Sequence, residues 1–213
     1  MTVIGGTGYA GAAVVAEAVR RGHCVRAVAR RRPEEANAVP GAAYLEGSAT
    51  DRAFLEAAVA EADAVISALA PRGSMLGQVR LVNRELADLA DQLGFRLGVV
   101  LGAGSLTLEP SGPPLVADPS FPAAFRAEAE EMAGVLDDLM ASPAGVDWFG
   151  VSPASGFGAF APGEALGRYR VGADTVLTDE SGESRISAAD LALAIVDELE
   201  RPAHKRRRFT VAY

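Results

Sequence analysis

Residues 1–11 read MTVIGGTGYAG, a short apolar run followed by four glycines in seven positions, Gly5 to Gly11. Glycine loses more backbone entropy on folding than any other residue, so so dense a cluster marks a sharp bend or a close approach. The next stretch, AAVVAEAVRRG (12–22), repeats apolar residues at helical spacing and meets a stop at Gly22. CVRAVAR (24–30) then alternates as a strand does. Strand, glycine turn, helix and strand within the first 30 residues make one βαβ unit.

The alternation continues. AAYLEG (42–47) reads as a strand and RAFLEAAVAEA (52–62) as a helix opened by Thr50 or Asp51. DAVISAL (63–69) is a buried strand, GQVRLVNRELADLADQLG (77–94) a long amphipathic helix, and FRLGVVLG (95–102) another buried strand. Such a chain builds a parallel sheet with helices on both faces. After residue 105 the pattern breaks into a proline-rich loop, LTLEPSGPPLVADPSFP (106–122), and then a helix over about 123–141. VDWFGVSP (146–153) is a sixth strand, its Trp148 and Phe149 assigned to the core. GRYRVGADTVLTDESGES (167–184) is expected to form a hairpin turning near Asp179 to Gly182. ISAADLALAIVDELER (186–201) is an amphipathic helix capped by Ser187, and RRFTVAY closes the chain as a strand. The expected fold is one α/β domain over residues 1–213. It is a Rossmann-like doubly wound parallel sheet with a small C-terminal substrate lobe at about 155–185.

Composition narrows the classes. Apolar residues make up 49% and charged residues 23%, which is ordinary globular usage. A formal charge of −8 argues against a nucleic-acid binder. No apolar run reaches the roughly 18 residues of a membrane span, and no basic stretch leads into an apolar run at the N-terminus. A lone Cys24 fits a reducing compartment, so the cytoplasm is the expected location, and within a strand it reads as a small buried hydrophobe. His23, His204 and Cys24 do not form metal-ligand spacing, so no metal is expected.

GGTGYAG satisfies two spacings. Gly5, Gly8 and Gly11 form G-x-x-G-x-x-G, while Gly6, Gly8 and Gly11 form G-x-G-x-x-G. Between a strand and a helix, this is the fingerprint of a dinucleotide site. One glycine permits the turn, one admits the pyrophosphate, one lets helix and strand pack, and the helix N-terminus supplies unpaired N–H groups. The candidate contacts are Gly5, Thr7, Gly8, Tyr9, Ala10 and Gly11. An NAD site places a carboxylate about 20 residues on, at the end of the second strand. Here RRGHCVRAVARRR (20–32) ends on Arg30, Arg31 and Arg32. Guanidinium groups bind a 2′-phosphate that a carboxylate would repel. NADP(H) is therefore expected over NAD(H), with Arg30 as the first clamp and Arg31 as the second.

GGTGYAG, ISALAP (66–71), VVLGAGSL (99–106), DWFGVSPA (147–154) and SRISAADLALAIVDELERP (184–202) running to RRFTVAY together resemble the atypical short-chain dehydrogenases. The nearest resemblance is to a group of NAD(P)H-binding proteins provisionally named NADH-flavin reductases, related to biliverdin-IXβ/flavin reductase. It spans essentially the whole chain. It implies a nicotinamide cofactor across the strand ends and a shallow pocket for a planar acceptor. It would place Ser67, Ala68 and Leu69 along the ribose and pyrophosphate, Gly104 and Ser105 near the nicotinamide, and Ser152 and Pro153 on its other side. Relatives carry Asp in a G-D-x-x-D-like string at the adenine, where this chain has GSATD, so Ser48 and Ala49 take that place. The first strand is also shorter than relatives have.

A Tyr-x-x-x-Lys dyad cannot exist here, because the single lysine is Lys205 and position 201 is arginine. Hydride transfer to a flavin needs no protein acid; positioning does the work and the chemistry is the cofactor's. The sequence therefore reads as an NADPH-dependent oxidoreductase passing hydride to a flavin or similar planar, small-molecule acceptor. Ser105 is either a hydrogen-bond donor at that acceptor, the one candidate catalytic residue, or a loop cap. Arg168, Tyr169 and Arg170 either line the acceptor pocket or form an exposed hairpin face. The alternatives are a non-catalytic NADP(H)-binding redox sensor, as in nitrogen-metabolite-repression regulators, or an epimerase or ketoreductase. No nucleic-acid or membrane partner is expected, and the chain is a monomer or homodimer.

Overall fold

A computed structural model describes residues Met1–Tyr213. One eight-stranded sheet runs through the chain: β1 (Thr2–Ile4), β2 (Arg26–Ala29), β3 (Ala43–Glu46), β4 (Ala64–Ser67), β5 (Arg96–Val100), β6 (Trp148–Pro153), β7 (Arg170–Gly172) and β8 (Arg207–Ala212). Their spatial order is β3-β2-β1-β4-β5-β6-β8-β7, parallel throughout except for β7. The expected α/β Rossmann-like architecture is the one observed.

The strands read as continuous apolar runs because both faces are covered. Successive residues serve opposite cores: Val3, Ile66, Val100 and Phe149 pack on one side, Ile4, Val65, Val99 and Trp148 on the other. The first side is closed by α1 (Tyr9–Arg20) and α5 (Ala188–Glu200), the second by α2 (Arg52–Val59), α3 (Val79–Leu93) and α4 (Ala123–Ala141). Trp148 and Phe149 are buried, as expected of core residues. Although β1 has only three residues, it is ladder-bonded on both sides, with Ile4 opposite Val28 and Ser67.

Local chemistry sets several helix ends. Asp51 accepts the Phe54 N–H at the start of α2, and Ser187 accepts that of Asp190 at the start of α5. Gly94 ends α3 at φ +78°, the left-handed conformation that favours glycine. The start of α3 is different, since Gln78 makes no side-chain cap. Glu131 of α4 reaches across instead, accepting the N–H groups of Gly77 at 2.6 Å and Arg80 at 3.1 Å.

Two expectations are corrected. The segment 167–184 does not fold back on itself as a hairpin. β7 pairs antiparallel with β8, Val171 opposite Val211. The turn at Asp179 does form, with the Asp179 carboxylate taking the N–H groups of Ser181 and Glu183. The polar residues beyond it do not continue as a strand, however, and Ser184 bonds Ser155 and Gly156 instead. The free edge of β8 outcompetes a local partner of low strand propensity. Cys24 is exposed rather than buried, because β2 begins only at Arg26. The Cys24 carbonyl instead receives the N-terminal amine at 2.8 Å.

Candidate functional site

In a doubly wound sheet the crevice opens where the strand order reverses, here between β1 and β4, at the carboxyl ends of the strands. A cleft of about 700 Å³ lies there. Its floor is the glycine loop. The N–H groups of Gly5 and Gly6 both donate to the Val28 carbonyl, at 2.9 and 3.0 Å, which ties the loop to the end of β2. Gly5 sits at φ +83°, and a Cβ there would lie 2.9 Å from the Ala68 carbonyl oxygen. At Gly11 a Cβ would come within 2.1 Å of the Gly5 oxygen, so that glycine brings α1 against the loop. Gly8 is the open one, where an added Cβ would meet only the Gly5 oxygen at 3.3 Å. The first bond of α1 runs from Ala12 N–H to the Gly8 carbonyl at 2.8 Å and no side chain caps the helix, so its leading N–H groups lack intrahelical partners.

Of the residues expected from sequence, Gly5, Thr7, Gly8, Tyr9, Ala10, Arg30, Ala49, Ala68, Leu69, Gly104 and Pro153 line this cleft. Arg30 stands at the end of β2 with Nη1 donating to the Ser74 hydroxyl at 2.5 Å. No carboxylate pairs with it, so its charge is available to a ligand. Gly11, Arg31, Ser48, Ser67, Ser105 and Ser152 are outside the lining. Ser48 bonds Thr50, and Ser152 donates to the Gly102 carbonyl at 3.0 Å, bracing a lining loop from behind. Ser67 is buried with its hydroxyl unpartnered. The Ser105 hydroxyl receives Arg208 Nη1 at 2.8 Å, behind the lining residue Gly104.

Arg168, Tyr169 and Arg170 also lie away from the cleft, so the pocket-lining alternative falls, while Arg168 and Arg170 are exposed. Tyr169 donates to Asp197 at 2.6 Å, and burial together with that bond pushes its phenol up. Arg170 donates to the carbonyls of Thr178 and Tyr213, because pairing of β7 with β8 turns it toward the chain end. Neither histidine lines the cleft: His23 pairs with Glu200, and His204 pairs with buried Glu198 and stacks on Phe209.

Sequence reasoning missed the far half of the cleft. Phe121, Phe125, Phe157, Phe160 and Met132 form it. Arg126 holds the loop that carries Phe121, donating to the carbonyls of Val116, Asp118 and Phe121. Tyr9 faces this half with its ring 5.2 Å from Phe157 and its hydroxyl donating to the Pro162 carbonyl at 3.1 Å. Burial pushes its phenol up, so it stays protonated. The charged lining residues are Arg30, Arg72 and Glu128, and the last two hold each other in a two-pronged pair at 2.8 and 2.9 Å. The available signals were SFPAAF (120–125), at the start of α4, and GFGAF (156–160), in the loop after β6, two clusters of bulky rings.

The NAD(P)H-binding family profile matches residues 5–202. The chain belongs to that family. Among relatives of this NAD(P)H-binding protein, YwnB of Bacillus subtilis is 36% identical over 98% of this chain and 96% of its own. SP1627 of Streptococcus pneumoniae, provisionally named an NADH-flavin reductase, is 32% identical over 99% of this chain and 97% of its own, with a TM-score of 0.81. A Bacteroides thetaiotaomicron protein provisionally named an epimerase is 32% identical, covers 100% and 95%, and reaches a TM-score of 0.88. The residues present fit such a dinucleotide. Gly8 leaves open room where a side chain would stand, α1 offers free N–H groups, and Arg30 has no competing carboxylate partner.

Proposed function

We propose that this protein is an NADPH-dependent reductase whose acceptor is a flavin or a similar flat molecule. The observation that carries the reading is the single cleft with two unlike halves: a glycine loop with a free arginine at one end, and an aromatic wall at the other. The loop Gly5–Ala10 would hold the pyrophosphate, Arg30 and Ser74 the 2′-phosphate, and Gly104 and Pro153 the nicotinamide end. When bound, the dinucleotide supplies hydride to the acceptor, so that NADPH, oxidised flavin and one solvent proton give NADP⁺ and dihydroflavin. The chain's own task is to align two rings and exclude water, and alignment alone lowers barriers by several kcal/mol. An epimerase or ketoreductase needs a placed acid or base. The cleft's one carboxylate is bound to Arg72, and its one phenol donates to a backbone carbonyl.

No helix is long and apolar enough to cross a membrane. The cytoplasm is the proposed location, on the strength of an exposed, unpaired Cys24 that a reducing compartment preserves.

The deciding experiment follows absorbance at 340 nm with NADPH or NADH and riboflavin, FMN or FAD. Flavin-dependent oxidation favouring NADPH is the expected result. NADPH binding without oxidation by any acceptor would replace the reductase with a redox-sensing regulator.

A further inference from the structure

Arg30 follows β2 and Phe160 follows β6, four strand positions apart in the sheet, or about 19 Å at ~4.8 Å per step. Phe160 and Arg30 thus stand at opposite ends of one cleft. Two of its rings, Phe125 and Phe160, lie 43% and 64% exposed and stack on one another with centroids 6.0 Å apart and planes 26° from parallel. They come from different elements, the first turn of α4 and the loop after β6. The Phe160 ring folds back over Gly158, where a Cβ would lie 2.3 Å from the ring. The loop is therefore built to hold this ring at the mouth of the cleft.

One turn along α4 from Phe125 stands Glu128. It takes both Nε and Nη2 of Arg72, which with Arg30 is one of the two cations lining the cleft. The fork that would recognise a phosphate is thereby filled by a carboxylate, and a phosphate placed beside it would face a negative charge. Resting on the reductase reading above, we infer that the acceptor compartment selects an uncharged flat ring system, riboflavin rather than FMN or FAD. Phe125 and Phe160 hold the ring, and Glu128 turns phosphorylated flavins away by occupying Arg72.

The test measures flavin fluorescence quenching with NADP⁺ present, and initial rates with NADPH, for riboflavin and FMN on the same protein. Wild type should show kcat/KM for riboflavin about tenfold or more above that for FMN. Glu128→Gln keeps the side-chain shape and releases Arg72, so the FMN-to-riboflavin ratio should rise about fivefold or more. Adding Arg72→Gln to that variant should abolish the gain, which a general loosening of the cleft would not do. Phe160→Ala should weaken riboflavin binding about three- to tenfold, with Phe160→Tyr restoring it. Equal use of riboflavin and FMN by wild type, or an unmoved ratio in Glu128→Gln, would overturn the selectivity and leave the reductase intact. If neither flavin binds nor is reduced, both the selectivity and the reductase reading fall.

Discussion

At the scale of single residues, the cleft rests on two side-chain choices, a missing one and a charged one. Gly8 adopts φ −76°, ψ 171°, an extended conformation open to valine, and a Cβ there would meet only the Gly5 carbonyl oxygen, at 3.3 Å. Gly8→Val should therefore abolish dinucleotide binding by titration while moving the thermal midpoint only slightly. Binding retained at the wild-type level would mean that the pyrophosphate does not approach there. Arg30 carries an uncommitted charge at the end of β2. Arg30→Glu removes a charge-assisted bond worth about 1.5–3 kcal/mol and adds repulsion, so NADPH should weaken at least about tenfold. NADH, lacking the phosphate, should weaken far less. An unchanged NADPH-to-NADH ratio would remove Arg30 from the 2′-phosphate site. Ser105 illustrates the reverse case: its hydroxyl belongs to an Arg208–Asp174 chain behind the cleft, a contact no short motif could announce.

At the scale of elements, α4 connects the two halves of the site to the scaffold. Its first turns carry Phe125 and Glu128 to the cleft, Glu131 caps α3, and Asp138 binds Arg80 and Arg84. Gly104 lets the loop after β5 meet this helix closely, since a Cβ there would lie 2.6 Å from that of Ala129. Because Gln78 provides no cap of its own, Glu131→Ala should cost about 1 kcal/mol, the usual worth of a side-chain cap. The urea midpoint would read that loss, and an unchanged midpoint would show that water replaces the carboxylate without cost.

At the scale of the whole molecule, ion pairs between distant segments make stability depend on pH. Glu198, 5% exposed, accepts Arg96 at 2.6 Å and His204 at 2.7 Å, joining α5 to β5 and the chain end. Burial alone would raise its carboxyl, but the bonds from His204 and Arg96 outweigh it and hold the group below its usual range. Burial is likewise overcome at Asp138, where Arg80 and Arg84 hold the carboxyl at about 2. A carboxylate depressed on folding stabilises above its unfolded value near 4 and loses that contribution as pH falls through the folded value. The urea midpoint should therefore hold steady from about pH 7 to 5 and fall between about pH 4 and 2. Asp138, partly solvated, would supply on the order of 1 kcal/mol of that loss. A midpoint flat to pH 2 would mean that these pairs contribute nothing.

The same scale separates what was legible from what was not. Helix period, the Asp51 and Ser187 caps and the glycine loop are read from neighbours within a few residues, so the sequence by itself determined the parallel sheet and the glycine-loop half of the cleft. Which strand takes β7, what Tyr169 and Arg170 face, and the aromatic half were decided only by the tertiary structure. Arg72, Glu128 and Phe160 are separated by dozens of residues and reach one cleft because β4, β5 and β6 lie side by side. Local sequence sets the conformation of a segment, whereas a side chain's neighbours follow from how distant segments pack.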